Sequence, residues 1–292
     1  MRERGHDEPI RYGGQAVLEG VMMRNTRRVA IAVRAPQGEI LLRTKPLNPS
    51  FYTGWPARVP LVRGLVMLWD ALGLGIDALM WSADVAMGEE AKKASSRVAE
   101  GLSVVLGLVL AVGLFMVLPS LLVGLLPFPL QPVVDALLEG FVRLGLLVGY
   151  LWAVGRLPDI QRVFAYHGAE HKTINAYEAG APLTVEAVRA FPTAHSRCGT
   201  SFLLSVVVIS ILVLAPLGSL PLHWRVVSRV LAIPLIAGLA YEWVRLSARY
   251  GDRPWMRWLA RPNLALQRLT TREPDDGMLE VALRALQATM DG

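Results

Sequence analysis

The sequence predicts a mainly α, polytopic helical membrane protein with about four transmembrane helices, a small N-terminal β element and a cytoplasmic His-rich loop. Three observations predict it. Hydrophobic residues make up 53% of the 292 residues and the mean hydropathy is +0.40, outside the range of an ordinary soluble domain. Apolar runs close to the roughly 20 residues that cross a bilayer recur along the chain. Lys and Arg gather at one set of their ends, which puts both termini and the His-rich loop on the cytoplasmic side.

The chain divides into 1–58, a β-containing cytoplasmic segment; 59–100, an amphipathic interfacial helix and linker; 101–155 and 201–246, two pairs of transmembrane helices; 156–200, the His-rich loop; and 247–292, C-terminal cytoplasmic helices. Met1 to Pro9 lacks an apolar core, so no cleaved signal peptide is expected. The Gly13–Arg24 run carries neither P-loop nor Rossmann spacing, and its glycines read as turns and close backbone approaches. Glu19 within it is an extra candidate ligand or base. Val29–Arg34 and Glu39–Thr44, parted by Ala35-Pro36-Gln37-Gly38, read as a β-hairpin.

From Val59 to Gly88, Arg63, Asp70, Asp77 and Asp84 repeat every seven residues and form a polar stripe on an otherwise apolar helix, which suits the membrane interface. Four spans follow at about Leu102–Leu126, Val133–Val154, Ser201–Leu217 and Val226–Val244. The Pro127–Pro132 linker has no Lys or Arg, whereas Lys92, Lys93, Arg97, Arg156, Arg162, Arg197, Arg245, Arg249, Arg253 and Arg257 flank the opposite ends. Arg225 and Arg229 in the other outer turn run against that trend. Asp135, Glu139 and Arg143 share one face of the second span and read as polar glue between helices, Glu139 to Arg143 being the natural pair. The last helix presents Leu279, Ala282, Leu283, Leu286 and Met290 on one side, for docking on the cytoplasmic domain or the membrane surface.

The chemistry concentrates in Tyr166–Glu178, where His167-Gly168-Ala169-Glu170-His171 spells H-x-x-E-H. On a helix the two imidazoles stand at i and i+4 and can grip one ion, Zn2+ being the expected metal. Such histidines hold a metal that acidifies water, and Glu170 would act as general base. His195 and the lone Cys198 follow, so His167, His171, His195 and Cys198 make a plausible tetrahedral set, with the distant Glu242 a rival for the outer positions. Arg197 would polarise a substrate oxygen, and Glu178 would orient His171. One cysteine allows no internal disulfide. The net charge of +6 sits beside apolar segments rather than in a basic, aromatic-interleaved module, so the lipid bilayer and other membrane proteins are the expected partners and nucleic acid is not.

GGQAVLEGVMMR at 13–24, YHGAEHKTINAYE at 166–178, HSRCGTSF at 195–202 and YEWVRLS at 241–247 together resemble the YqhQ-like family of bacterial polytopic membrane proteins. The resemblance spans nearly the whole chain. It implies a bacterial inner-membrane location, a predicted metal-dependent enzyme, and a family pattern that includes His167, Glu170, His171, His195 and Cys198. Two readings follow: a cytoplasm-facing, peptidase-like zinc hydrolase, or a non-enzymatic membrane scaffold or assembly factor with a closed structural zinc site. A transporter working through the Asp135, Glu139 and Arg143 face comes third, weakened by four spans without an inverted repeat.

Overall fold

The computed structural model describes residues 12–49, 52, 54–92, 97–127, 130–195, 197–217, 220–251 and 253–290. The expected signal-free N-terminal stretch, Lys93, Phe128 and Pro129 of the outer linker, and Ser196 lie outside the described residues.

Strands β1 (Gly13–Val17), β2 (Gly20–Arg24), β3 (Arg28–Arg34) and β4 (Ile40–Pro46) form an antiparallel meander. The β3–β4 hairpin is the expected one, with Arg34 opposite Ile40. β1 and β2 go beyond the expectation: the glycine-rich run forms paired strands, in register from Gly13 opposite Arg24 to Val17 opposite Gly20. Side-chain alternation gives the sheet two apolar faces, and helices cover both. Val17, Met22, Val29, Ile31 and Val33 pack on Leu74, Ala78, Trp81 and Val85 of α1 (Val62–Lys92). Val21, Met23 and Ala32 pack on Leu279, Ala282, Leu283 and Leu286 of the last helix, α11 (Asp276–Met290). Each fully buried side chain of this size contributes roughly 1.5–3 kcal/mol, which is why the short strands hold. The apolar face read from the sequence thus docks on the sheet, although Met290 stays 41% exposed.

The polar stripe of α1 meets the sheet's cations. Asp70 pairs with Arg24 at 3.2 Å and Asp77 with Lys45 at 2.7 Å. The opposite face leaves Leu65, Trp69, Leu72, Leu79 and Met87 exposed, and Val62–Gly88 is long and apolar enough to cross a membrane.

Three further helices meet the same condition: Gly101–Gly124, Pro132–Val154 and Thr200–Leu217. The first joins α2 (Arg97–Val112) to α3 (Leu118–Gly124) through a π-helical turn at Gly113–Val117; the others are α4 (Pro132–Val154) and, in the main, α7 (Thr200–Leu214). All three fall within two residues of their expected bounds. The fourth expected span, Val226–Val244, needs correction. It is broken into α8 (Leu222–Leu231) and α9 (Ile233–Arg249), with His223–Leu231 bent 42° from Ile233–Arg249. Pro234 stands at the break and lacks the N–H that would continue the helical ladder.

The second correction concerns Arg225 and Arg229. They are buried in α8 rather than placed in an outer turn. Arg225 Nη2 donates to Asp135 Oδ1 at 2.5 Å and to Glu139 Oε1 at 2.8 Å, and Arg229 Nη2 reaches Glu139 Oε1 at 2.9 Å. Arg143 lies 3.9 Å from Glu139, donates to the Phe115 carbonyl at 2.7 Å and bonds the Ser210 hydroxyl. The expected glue on α4 is therefore a five-charge cluster joining α4, α7, α8 and the π-helical turn.

The expected His-rich loop is largely helical. α5 (Pro158–Glu178) opens with Pro158 at its first position and Asp159 in its first turn, both favourable at a helix N-terminus. The short α6 (Val185–Arg189) follows, then an irregular segment up to α7. After α9, α10 (Pro254–Thr270) leads by a short extended stretch into α11.

Candidate metal centre

The helical register of α5 places His167 and His171 on one face, with ring centroids 4.3 Å apart. His167 Nδ1 bonds the Thr270 carbonyl at 2.8 Å and His171 Nδ1 bonds the Thr193 carbonyl at 2.6 Å. A carbonyl only accepts, so each Nδ1 is the protonated nitrogen and each Nε2 carries a lone pair. Both lone pairs turn toward the chain's single thiol. Cys198 Sγ lies 3.1 Å from His167 Nε2, and Thr200 donates to it through N at 3.4 Å and Oγ1 at 3.3 Å. His171 Nε2 is buried and has no hydrogen-bond partner among the described residues. One ligand atom from each of His167, His171 and Cys198 fits within a mutual 4.8 Å, a group that could hold a metal ion.

Gly168 makes this geometry attainable. A Cβ there would stand 2.1 Å from the Arg272 carbonyl oxygen, so only glycine lets the stretch after α10 lie against α5. Arg272 N donates to the Phe164 carbonyl at 2.9 Å in the same approach, and Thr270 thereby reaches His167. The segment carrying Thr193 and His195 is held from two sides. Asn175 Nδ2 donates to the carbonyls of Pro192 and Ala194 at 2.9 and 3.1 Å. Gln267 exchanges both amide bonds with the His195 backbone, at 3.1 and 2.9 Å. The buried Lys172 adds a tie, donating to the Arg189 carbonyl at 2.8 Å and pairing with Glu273 at 2.5 Å.

The other expected site residues are distributed differently. His195 is buried beside His171, ring centroids 5.6 Å apart, yet lies outside the three-residue group. Its Nδ1 accepts from Arg197 N at 3.4 Å, and its Nε2 lies 3.5 Å from Glu178. Burial, with His171 alongside, pushes its pKa down to about 4, which keeps the ring neutral. Glu178 also forms an ion pair with Arg197. Glu178 thus serves His195 and Arg197, while the Thr193 carbonyl does the work expected of it at His171. Glu170 packs against β1: a Cβ on Gly14 would come within 2.9 Å of its Cγ and Cδ. Desolvation pushes its carboxyl up to about 7, opposed by the nearby His167 and a bond from the Gly14 backbone.

Glu242 and Glu19 require correction as candidate ligands. Glu242 is held by Arg63, with Arg63 Nε to Oε1 at 2.7 Å, and it stands among Ile209, Leu212 and Val213. Ile209 is nine residues into α7, about 13 Å along the helix from the end that carries Cys198. Glu19 sits in the β1–β2 turn and takes two bonds of 2.5 Å from Arg162 and one of 3.3 Å from the Tyr166 hydroxyl, and Arg162 holds its pKa below the usual carboxylate range.

A family model described as "Protein of unknown function (DUF1385)" matches residues 59–292. The "Uncharacterized protein YqhQ" of Bacillus subtilis (strain 168) is 34% identical over 298 residues, covering 96% of this chain and 92% of the relative. No solved structure matches.

Proposed function

This chain belongs to the DUF1385 family of unknown function, and we propose that it is a multi-pass membrane protein with a three-ligand zinc site for hydrolysis, a peptide bond being the substrate class. The single observation that supports this most is the convergence of two carbonyl-anchored Nε2 atoms and one sulfur, with the His171 lone pair buried and unanswered. Two nitrogens and a sulfur suit zinc. His195 lies outside the three-residue group, its Nδ1 taken by Arg197 N and its buried Nε2 3.5 Å from Glu178 without a hydrogen bond, which favours three protein ligands, as catalytic zinc sites have, over four. When bound, zinc would supply Lewis acidity toward a carbonyl oxygen and lower the pKa of water. Glu170, its buried carboxyl pushed up to about 7, would act as the general base. Arg197, anchored by Glu178, would polarise the substrate oxygen. The peptide bond rests on analogy with other H-x-x-E-H sites.

The chain sits in the bacterial inner membrane with both termini in the cytoplasm, following the distribution of the Lys and Arg that flank its apolar helices. α1 lies in the interface, since crossing would carry β3 and β4, with Arg43 and Lys45, into hydrocarbon.

Elemental analysis of detergent-purified protein tests the site. About one zinc per chain is expected, lost in His167→Ala, His171→Ala and Cys198→Ser and retained in His195→Ala. Loss in His195→Ala as well, with the fold intact, would close the shell and favour the scaffold reading. Wild type without metal would end both. Glu170→Gln should keep the zinc and lose peptide hydrolysis.

A further inference from the structure

α10 turns three different faces to three surroundings. Taken at about 100° per residue, Arg253, Arg257, Arg261 and Arg268 fall in a stripe about 80° wide. All four are exposed, and none makes an ion pair among the described residues. The adjoining sector holds Trp255, Trp258 and Leu259, which are 52%, 64% and 39% exposed. The third sector is buried and carries Met256, Gln267 and Thr270. Gln267 grips the His195 backbone, and the Thr270 carbonyl fixes His167.

Large exposed tryptophans beside unpaired arginines match the chemistry of a lipid headgroup region, where indoles settle at the interface and guanidiniums meet phosphate. The placement fits. α10 starts within a few residues of the end of α9, where Trp243, Arg245, Arg249 and Tyr250 are also exposed. Its Leu266 packs with Leu147, Leu151 and Val207, at the ends of α4 and along α7. Between Trp243 and Arg272 the chain has seven arginines and one acidic residue, so this end of the bundle is strongly basic.

We propose that the outer face of α10 docks on an anionic phospholipid surface, and that this docking steadies the inner face that holds the His195 segment and His167. The docking does not depend on a metal, and the second half concerns the order of the segment leading to Cys198, so both are read in metal-free protein. A failure of zinc binding would therefore leave this inference standing or falling on its own data.

Full-length, metal-free protein is placed in lipid nanodiscs of phosphatidylcholine alone or with about one third phosphatidylglycerol. Hydrogen exchange is followed in residues 254–270, together with alkylation of Cys198 by N-ethylmaleimide. The anionic discs should slow exchange in α10 about fivefold and alkylation about threefold. Substituting Arg253→Gln, Arg257→Gln, Arg261→Gln and Arg268→Gln together should erase both differences, and so should about 0.5 M salt on the wild type, which decides the matter if the variant folds poorly. Equal exchange in the two lipids, or a difference that survives both treatments, overturns the docking. Slowed exchange with unchanged alkylation overturns the link to the centre.

Discussion

Among the described residues, a buried charge cluster and a largely buried His/Cys cluster solve the burial problem in opposite ways. At one, Asp135, Glu139, Arg143, Arg225 and Arg229 bring three guanidiniums against two carboxylates, and nearly every polar atom is answered by another within the cluster or by Ser120, Ser210 or a backbone carbonyl. At the other, the outer ring nitrogens of His167 and His171 are tied to backbone carbonyls while their inner nitrogens and the Cys198 sulfur face one another. Charges that pair internally make a joint. Lone pairs that converge make a group that could hold a cation. Burial alone therefore does not distinguish structure from function here; the direction in which donors and acceptors point does.

The largest expected effect breaks the joint. Glu139→Gln keeps the shape but leaves Arg225 and Arg229 with one carboxylate between them in an apolar setting. Removing one partner of a buried network costs about 3–5 kcal/mol, because the charges left behind stay desolvated. Thermal unfolding in detergent should show a lower midpoint, with the zinc content of the remaining folded fraction unchanged. A variant as stable as wild type would mean that water already reaches the cluster, and the contrast with the candidate metal centre would dissolve.

A middle-sized effect sharpens the other side. Gln267→Leu removes both bonds to the His195 backbone while leaving every candidate ligand in place. Outer-shell partners of this kind are worth about 10–100-fold in metal affinity, and the lower end is expected because Gln267 acts through the segment rather than on a ligand. Zinc titration with a competing chelator measures it. Unchanged affinity would show that Asn175 holds the segment alone.

How much of this was legible in the sequence depends on whether a feature is local. H-x-x-E-H could be read as two ligands because i and i+4 fix the geometry within one helix turn, and Cys198 stood out as the lone thiol. The carbonyls of Thr193 and Thr270 carry no residue signature, and Gln267 lies about a hundred residues from His167. Gly168 was visible in the motif, but its reason, the Arg272 carbonyl, was not. Arg225 and Arg229 were misread because the positive-inside rule counts charges in loops and cannot see that Asp135 and Glu139 answer them. β2 was hidden because a strand covered on both faces, as Val21, Met22 and Met23 show, loses the polar alternation that marks a half-exposed sheet, and β1 because it opens on two glycines, which are depleted in strands.

The smallest effect is expected at Glu242, the carboxylate whose sequence position and structural position disagree most. A glutamate near the end of the last span suits a third metal ligand, and H-x-x-E-H sites take one from far along the chain. The structure instead gives both its oxygens to Arg63 and one of them also to the Leu61 N–H at 3.3 Å, which clips α9 to the start of α1. With side chains 20% and 22% exposed the pair is partly screened, so Glu242→Gln should lower stability by no more than about 1 kcal/mol. Zinc stoichiometry and affinity should stay at the wild-type values. If zinc is lost while unfolding is unchanged, Glu242 must leave Arg63 to reach the metal, and α1, α9 and the centre would then have to move together. If stability falls and zinc stays, the carboxylate belongs to the joint between sheet-bearing helix and bundle, and the three-ligand site stands without it.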